Sequence, residues 1–173
     1  MITPEEFIKQ WTKGEDAVLK FNTEQFEKIK IKEETKNFLI SGIPEEASPF
    51  LSFGNASGEG TVETIAQSYN LDKSFERYLI IGFDGSGNPI CIDNQENDRM
   101  VMLNHDQGFR AVFMNSTINQ FAEILLAYRD YSMNKKPVDF IKKKVSEIDT
   151  NALSDNTKLD EDNYWKQILK NED

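Results

Sequence analysis

Between Arg77 and Asn115 four short apolar runs follow one another at hairpin spacing: RYLIIGF, ICID, RMVMLNHD and FRAVFMN. Each is compact and β-compatible, and the first gap, DGSGNP, has the glycine and asparagine content of a tight turn. Their spacing predicts an antiparallel meander of about four strands. The next stretch, NSTINQFAEILLAYRDYS, changes period. Ile118, Phe121, Ala122, Leu125 and Tyr128 recur at helical spacing, with Asn115, Ser116 and Thr117 as candidate caps. A helix lying on the sheet is expected, so the fold class is α+β: a central antiparallel sheet of about four to six strands flanked by helices.

The flanking segments add helices. Thr3, Pro4 and Glu6 have the order of an N-cap, a first-turn proline and a capping box, with Phe7, Ile8 and Trp11 on one face. Residues 15–31 interleave Val18, Leu19, Phe21, Phe26, Ile29 and Ile31 with charge, as a helix or irregular arm over the core would. KEETKNFLISGIP predicts a short helix carrying Phe38 and Leu39, ended by a left-handed Gly42 and a stopping Pro44. GNASGEG, 54–60, is expected to be a mobile surface loop. Beyond residue 134, Val138, Ile141, Val145 and Ile148 form one apolar stripe, and NYWKQILK a second short helix. The expected organisation is one α+β domain over 1–134 and a C-terminal helical extension over 135–173, packed on it or appended to it.

Charge narrows the functions. Across 173 residues, 30 acidic side chains oppose 20 basic ones, a net charge of −10. The balance is −9 over 1–134, +4 over 135–146 and −5 over 147–173. Binding to a phosphate backbone draws on Lys and Arg, so direct nucleic-acid binding is not expected. An acidic face that receives a basic partner is the sharper alternative to an ordinary solvated surface. The amino end, MITPEEFIKQW, has no apolar signal region and no apolar tract is long enough to span a bilayer, so the expectation is a cytoplasmic protein with no membrane contact. One Cys and one His can make neither an internal disulfide nor a structural zinc site.

Motifs for chemistry fail on inspection. Gly82 and Gly87 have phosphate-loop spacing, but Asn88 stands where Lys is required. A calcium loop from Asp84 would meet Pro89 at its sixth position and Gln95 at its twelfth. His105 has no catalytic motif to join, and Cys91 sits in an apolar strand. No catalytic residue, metal site or cofactor is therefore assigned. Asp84, Asp93, Asp98 and Asp106 could gather at one end of the sheet around a cation, as in a metal-dependent hydrolase, although Asp is common at hairpin ends because it caps turns. Tyr164 and Trp165 read as the anchor of the last helix, or, if exposed, as an interface hot spot.

Taken in order, the amino-terminal helix, SGIP at 41–44, YLIIGFDGSGNPICID at 78–93, RMVMLNHD at 99–106 and FMNSTINQFAEIL at 113–125 resemble the SUKH superfamily. That superfamily holds bacterial toxin-immunity proteins and fungal regulators of cell-wall glucan synthesis. The resemblance covers roughly 3–131. It implies an α+β fold and a non-enzymatic, protein-binding role, most often as an immunity factor that neutralises a nuclease or deaminase toxin. A cell-wall regulator acting through a protein partner is the alternative. Gly42, Pro44, Gly82 and Gly85 look structural. The acidic positions nearest the motifs, Glu45, Glu46, Asp84, Asp93, Asp98 and Asp106, are the expected contacts for a basic toxin domain.

Overall fold

A computed structural model describes residues 1–12, 17–56, 59–154 and 163–170. In chain order the elements are α1 (Pro4–Trp11), β1 (Val18–Leu19), α2 (Glu33–Ser41), β2 (Ile43–Pro44), β3 (Glu46–Ala47), β4 (Leu51–Phe53), β5 (Glu63–Thr64) and α3 (Ile65–Tyr69). Then come β6 (Tyr78–Phe83), β7 (Pro89–Asp93), β8 (Arg99–Asn104), β9 (Arg110–Asn115), α4 (Ile118–Met133), α5 (Val138–Ile148) and α6 (Tyr164–Lys170).

The expected meander is present as β6–β7–β8–β9, paired antiparallel throughout. Three two- or three-residue strands enlarge it to seven: the order is β3-β4-β6-β7-β8-β9, with β5 also on β6. β4 pairs with the end of β6 (Phe53 opposite Gly82) and β5 with its start (Thr64 opposite Leu79), so the two share one edge. Gly82 permits this: a Cβ there would lie 2.4 Å from the Ser52 carbonyl oxygen. β1 and β2 form a separate two-stranded pair, in which Pro44 lies opposite Val18.

All five residues of β7 are buried, because both faces of the sheet are covered. On one face Leu79, Ile81, Ile90, Ile92, Met100, Met102, Val112 and Met114 join Phe7, Phe38, Leu39, Phe121, Ile141 and Trp165 in the main core. On the other, Ile80, Cys91, Val101 and Leu103 meet Ile65 of α3, with Phe75 at the margin. This burial on both faces explains the near-continuous apolar runs. Burial pushes the Cys91 thiol well up, with the Asp93 charge adding to it.

Local signals specify the helix starts. Thr3 and Glu6 form the reciprocal capping box of α1, and Thr117 caps α4 by accepting from the Gln120 N–H. Arg129 of α4 closes the other end of α1, donating to the Gln10 and Trp11 carbonyls at 2.8 Å and stacking on the Trp11 ring.

Several expectations change. α2 does end at Gly42, but at φ 130° and ψ 144°, which is positive φ without being the left-handed helical cap. The chain leaves straight into β2, and this open backbone at positive φ, accessible to glycine, serves that exit. Of the hairpin glycines, Gly87 supplies positive φ (82°), whereas Gly85 makes room for Phe50, whose Cβ would lie 2.9 Å from an added Cβ. The end of the loop expected to be mobile is held at Gly60, whose carbonyl accepts from the Asn22 N–H and the Gln25 amide, and a Cβ there would sit 2.1 Å from the Lys20 oxygen. Residues 57–58 of that loop lie outside the described residues. The arm is irregular around β1 and a 3₁₀ turn at 23–27, with Phe21 and Phe26 buried.

Candidate functional site

The register of the meander sorts the acidic candidates. Asp84 follows β6 and Asp106 follows β8, which places both at one end of the sheet; Asp93 closes β7 and Asp98 precedes β8, at the other end. The length of β7 separates Asp84 from Asp93, so the two cannot share one ion as the hydrolase alternative needs. Among the described residues no group of three His, Cys, Asp or Glu side chains is placed to hold a metal.

Asp93 is wholly buried. Its Oδ1 and Oδ2 accept from Arg77 Nε and Nη2 at 2.7 and 2.9 Å, and Oδ2 also accepts from Arg99 Nη2 at 3.0 Å. Two forked guanidinium groups on one carboxylate satisfy it fully, and its hydrogen bonds raise the Arg77 pKa further. Asp98 is 4% exposed and caps α2 from a distance. Its Oδ2 accepts from the Lys32 N–H at 2.6 Å and the Thr35 hydroxyl at 2.8 Å. Lys32 offers no cap of its own, so the carboxylate satisfies the helix N-terminus and its dipole. Burial removes Asp93 and Asp98 from any surface a partner could reach; the expectation for these two is corrected to internal roles.

Of the other four, Glu45, Glu46 and Asp106 are exposed and Asp84 is half-buried. Asp84 organises its own turn, accepting from the Ser86 and Asn88 N–H groups at 2.9 Å and from the Asn88 amide at 3.0 Å. Asn88 in turn holds His105, receiving its backbone N–H at 3.1 Å with Nδ1 at 2.7 Å. The imidazole Nε2 lies 3.3 Å from Asp106, whose side chain is 85% exposed. Glu45 and Glu46 are exposed, and Glu46 lies in β3 opposite Ser52.

Glu46 and Asp84 meet across a surface groove of about 550 Å³, lined also by Ala47, Ser48, Phe50, Leu51, Ser52 and Gly85. None of these residues is basic. Phe50 follows a cis Ser48–Pro49 peptide, has φ 55°, and is 85% exposed. Both properties are unfavourable: a bulky residue at positive φ costs roughly 1–3 kcal/mol, and an unburied Phe forgoes about 1.5–3 kcal/mol. Glycine or asparagine would suit this backbone better. Sequence reasoning passed over Phe50; the available signal was the Ser-Pro turn dipeptide placing a large apolar residue at a loop tip.

The Asn115–Ser116 pair docks Asp149, which follows α5, and Trp165 of α6. Asp149, 2% exposed, accepts from the Asn115 amide, the Ser116 N–H and the Ser116 hydroxyl at 3.1, 2.7 and 3.0 Å. The Trp165 indole donates to Asn115 Oδ1 at 2.9 Å, and Tyr164 and Trp165 are both buried. They anchor α6 and are not an exposed hot spot.

No curated protein and no solved structure matches the chain. A family profile does, over residues 4–171, which runs through both α5 and α6. On the meander, the α4 entry and that match, the chain belongs to the SUKH-4 immunity protein family, part of the SUKH superfamily.

Proposed function

We propose that this protein neutralises a toxin domain by binding it, with no chemistry of its own, and that the toxin is a nuclease or nucleic-acid deaminase with a basic substrate groove. The observation that carries the reading is the immunity-family match over residues 4–171. Charge supports it: a groove built to hold phosphates attracts carboxylates by the same field, and this chain carries a net charge of −10. Glu45, Glu46, Asp84 and Asp106 are the carboxylates assigned to that contact. Residues 1–134 supply the contact surface, and α5 and α6 brace it. The inhibitor works in the cytoplasm, where such a toxin acts; among the described residues no helix is long and apolar enough to cross a membrane.

The test begins with the coding sequence adjacent to this gene, expressed alone and together with this chain; the expected neighbour ends in a basic toxin domain. Cells should survive with both and die with the toxin alone, and the purified pair should run as one stoichiometric complex. The protein by itself, given RNA, DNA or nucleotides with magnesium, manganese or zinc, should match buffer. Turnover abolished by Asp84→Ala would overturn the non-enzymatic reading.

A further inference from the structure

We infer that Phe50 is the apolar anchor of the toxin interface, inserting into a pocket on the partner that is rimmed by Lys and Arg. This rests on the immunity reading above and deepens it. Among the described residues the exposed large apolar side chains are Met1, Phe50, Tyr69 and Met133, and Phe50 is the most exposed of them. It stands on a short, sharply turned connection between β3 and β4 at the free edge of the sheet. Gly85, on the neighbouring hairpin, leaves the space its Cβ occupies.

The surroundings select the occupant. Glu46 and Asp84 line the groove with Phe50, and no lining residue is basic. An aromatic flanked by two carboxylates is matched by an apolar pocket with a cationic rim. Burying the ring strengthens the flanking ion pairs by excluding water from them, as central aromatic anchors do in protein interfaces. Phe50 therefore governs how long the complex lasts, while the carboxylates govern how fast it forms.

The experiment uses the full chain and a catalytically inactivated form of the toxin domain that the co-expression test identifies. Phe50→Gly is compared with Met133→Ser, an exposed apolar position on α4. Glycine relieves the positive φ, so the thermal midpoint of Phe50→Gly should equal or exceed that of the parent. Its complex should dissociate at least about thirtyfold faster, the size of a hot-spot loss, while Met133→Ser stays within about twofold of the parent. Tight binding by the parent with unchanged dissociation for Phe50→Gly would overturn the anchor and leave the immunity reading standing. A parent that does not bind the toxin domain would overturn both. Sedimentation gives a third outcome: a parental dimer that Phe50→Gly converts to monomer would assign this surface to a second copy of the chain and overturn the toxin contact.

Discussion

Asp93 shows how much one buried carboxylate can organise. Arg77 precedes β6 and Arg99 opens β8, and both converge on the end of β7 through it. Without that charge both partly buried guanidinium groups lose their close carboxylate, and Arg77 keeps only Glu96 at 3.9 Å. Asp93→Asn should therefore lower stability by about 3 kcal/mol, read as a reduced chemical-denaturation midpoint. Toxin affinity per folded molecule should be unchanged, because the side chain is fully buried; a weaker complex at equal folded fraction would return Asp93 to the interface. Gly42 is a second residue-scale case. A valine there must adopt φ 130° while its Cβ lies 3.3 Å from Ile8 Cδ1 and 3.4 Å from Val18 Cβ. Gly42→Val should cost more than about 1 kcal/mol, since strain and contact act together. A midpoint equal to the parent's would mean that the α2–β2 junction relaxes without penalty.

Elements divide by whether their partners are near in sequence. The meander, α1 and α4 are legible because their signals are local: turn residues between apolar runs, Thr3 with Glu6, Thr117 with Gln120. Strands β1, β3 and β5 are two residues long, too short to carry any period, and exist because a neighbour pairs with them. The roles of Asp98 on α2 and of Asp149 on the β9–α4 junction join residues more than thirty positions apart, which no spacing rule reaches. For that reason sequence sorts the acidic candidates only in part, whereas Phe50 carries a local signal in the Ser-Pro dipeptide before it. The caps themselves make a pH prediction. Hydrogen bonds from Thr3 hold the Glu6 carboxyl below its ordinary 4.5, and those from Ser74 hold Asp72 below 3.8. A depressed folded value gives stability that is present at neutral pH and lost as pH falls through it. The denaturation midpoint should decline below about pH 4.5, and Glu6→Gln should flatten the upper part of that decline; an identical acid profile for the variant would remove the α1 cap from the account. The extension is tested through Trp165. Its ring is fully buried and packs 6.5 Å from Phe121 and 6.0 Å from Tyr128. Trp165→Ala should lower stability by about 3–5 kcal/mol in a single transition seen equally by hydrogen exchange in β7 and in α6. Exchange that quickens in α6 alone would make 135–173 an appended module.

At the scale of the molecule, charge and shape are separated. The one positive stretch, 135–146, leads into α5, which packs on α4 and α6, whereas the groove with Phe50 lies at the β3 edge of the sheet. The large negative excess elsewhere gives the molecule a field that reaches beyond contact distance and draws in a cationic partner before any side chains touch. Such steering raises association rates by roughly 10- to 1000-fold at low salt, and it vanishes as the Debye length shrinks from ~10 Å at 0.1 M to ~3 Å at 1 M. Association with the toxin domain should therefore slow by more than about tenfold over that range, while dissociation, set by the buried contact, changes less. The combined Glu45→Gln and Glu46→Gln variant should start slower and respond less to salt. Asp106→Asn, at the meander turns, tests whether the acidic surface extends to that end of the sheet. The measurement is a stopped-flow association series for the parent and these variants. Rates independent of both salt and these three exposed carboxylates would leave the apolar contact of Phe50 as the whole basis of recognition, and the negative charge as a property of the surface alone.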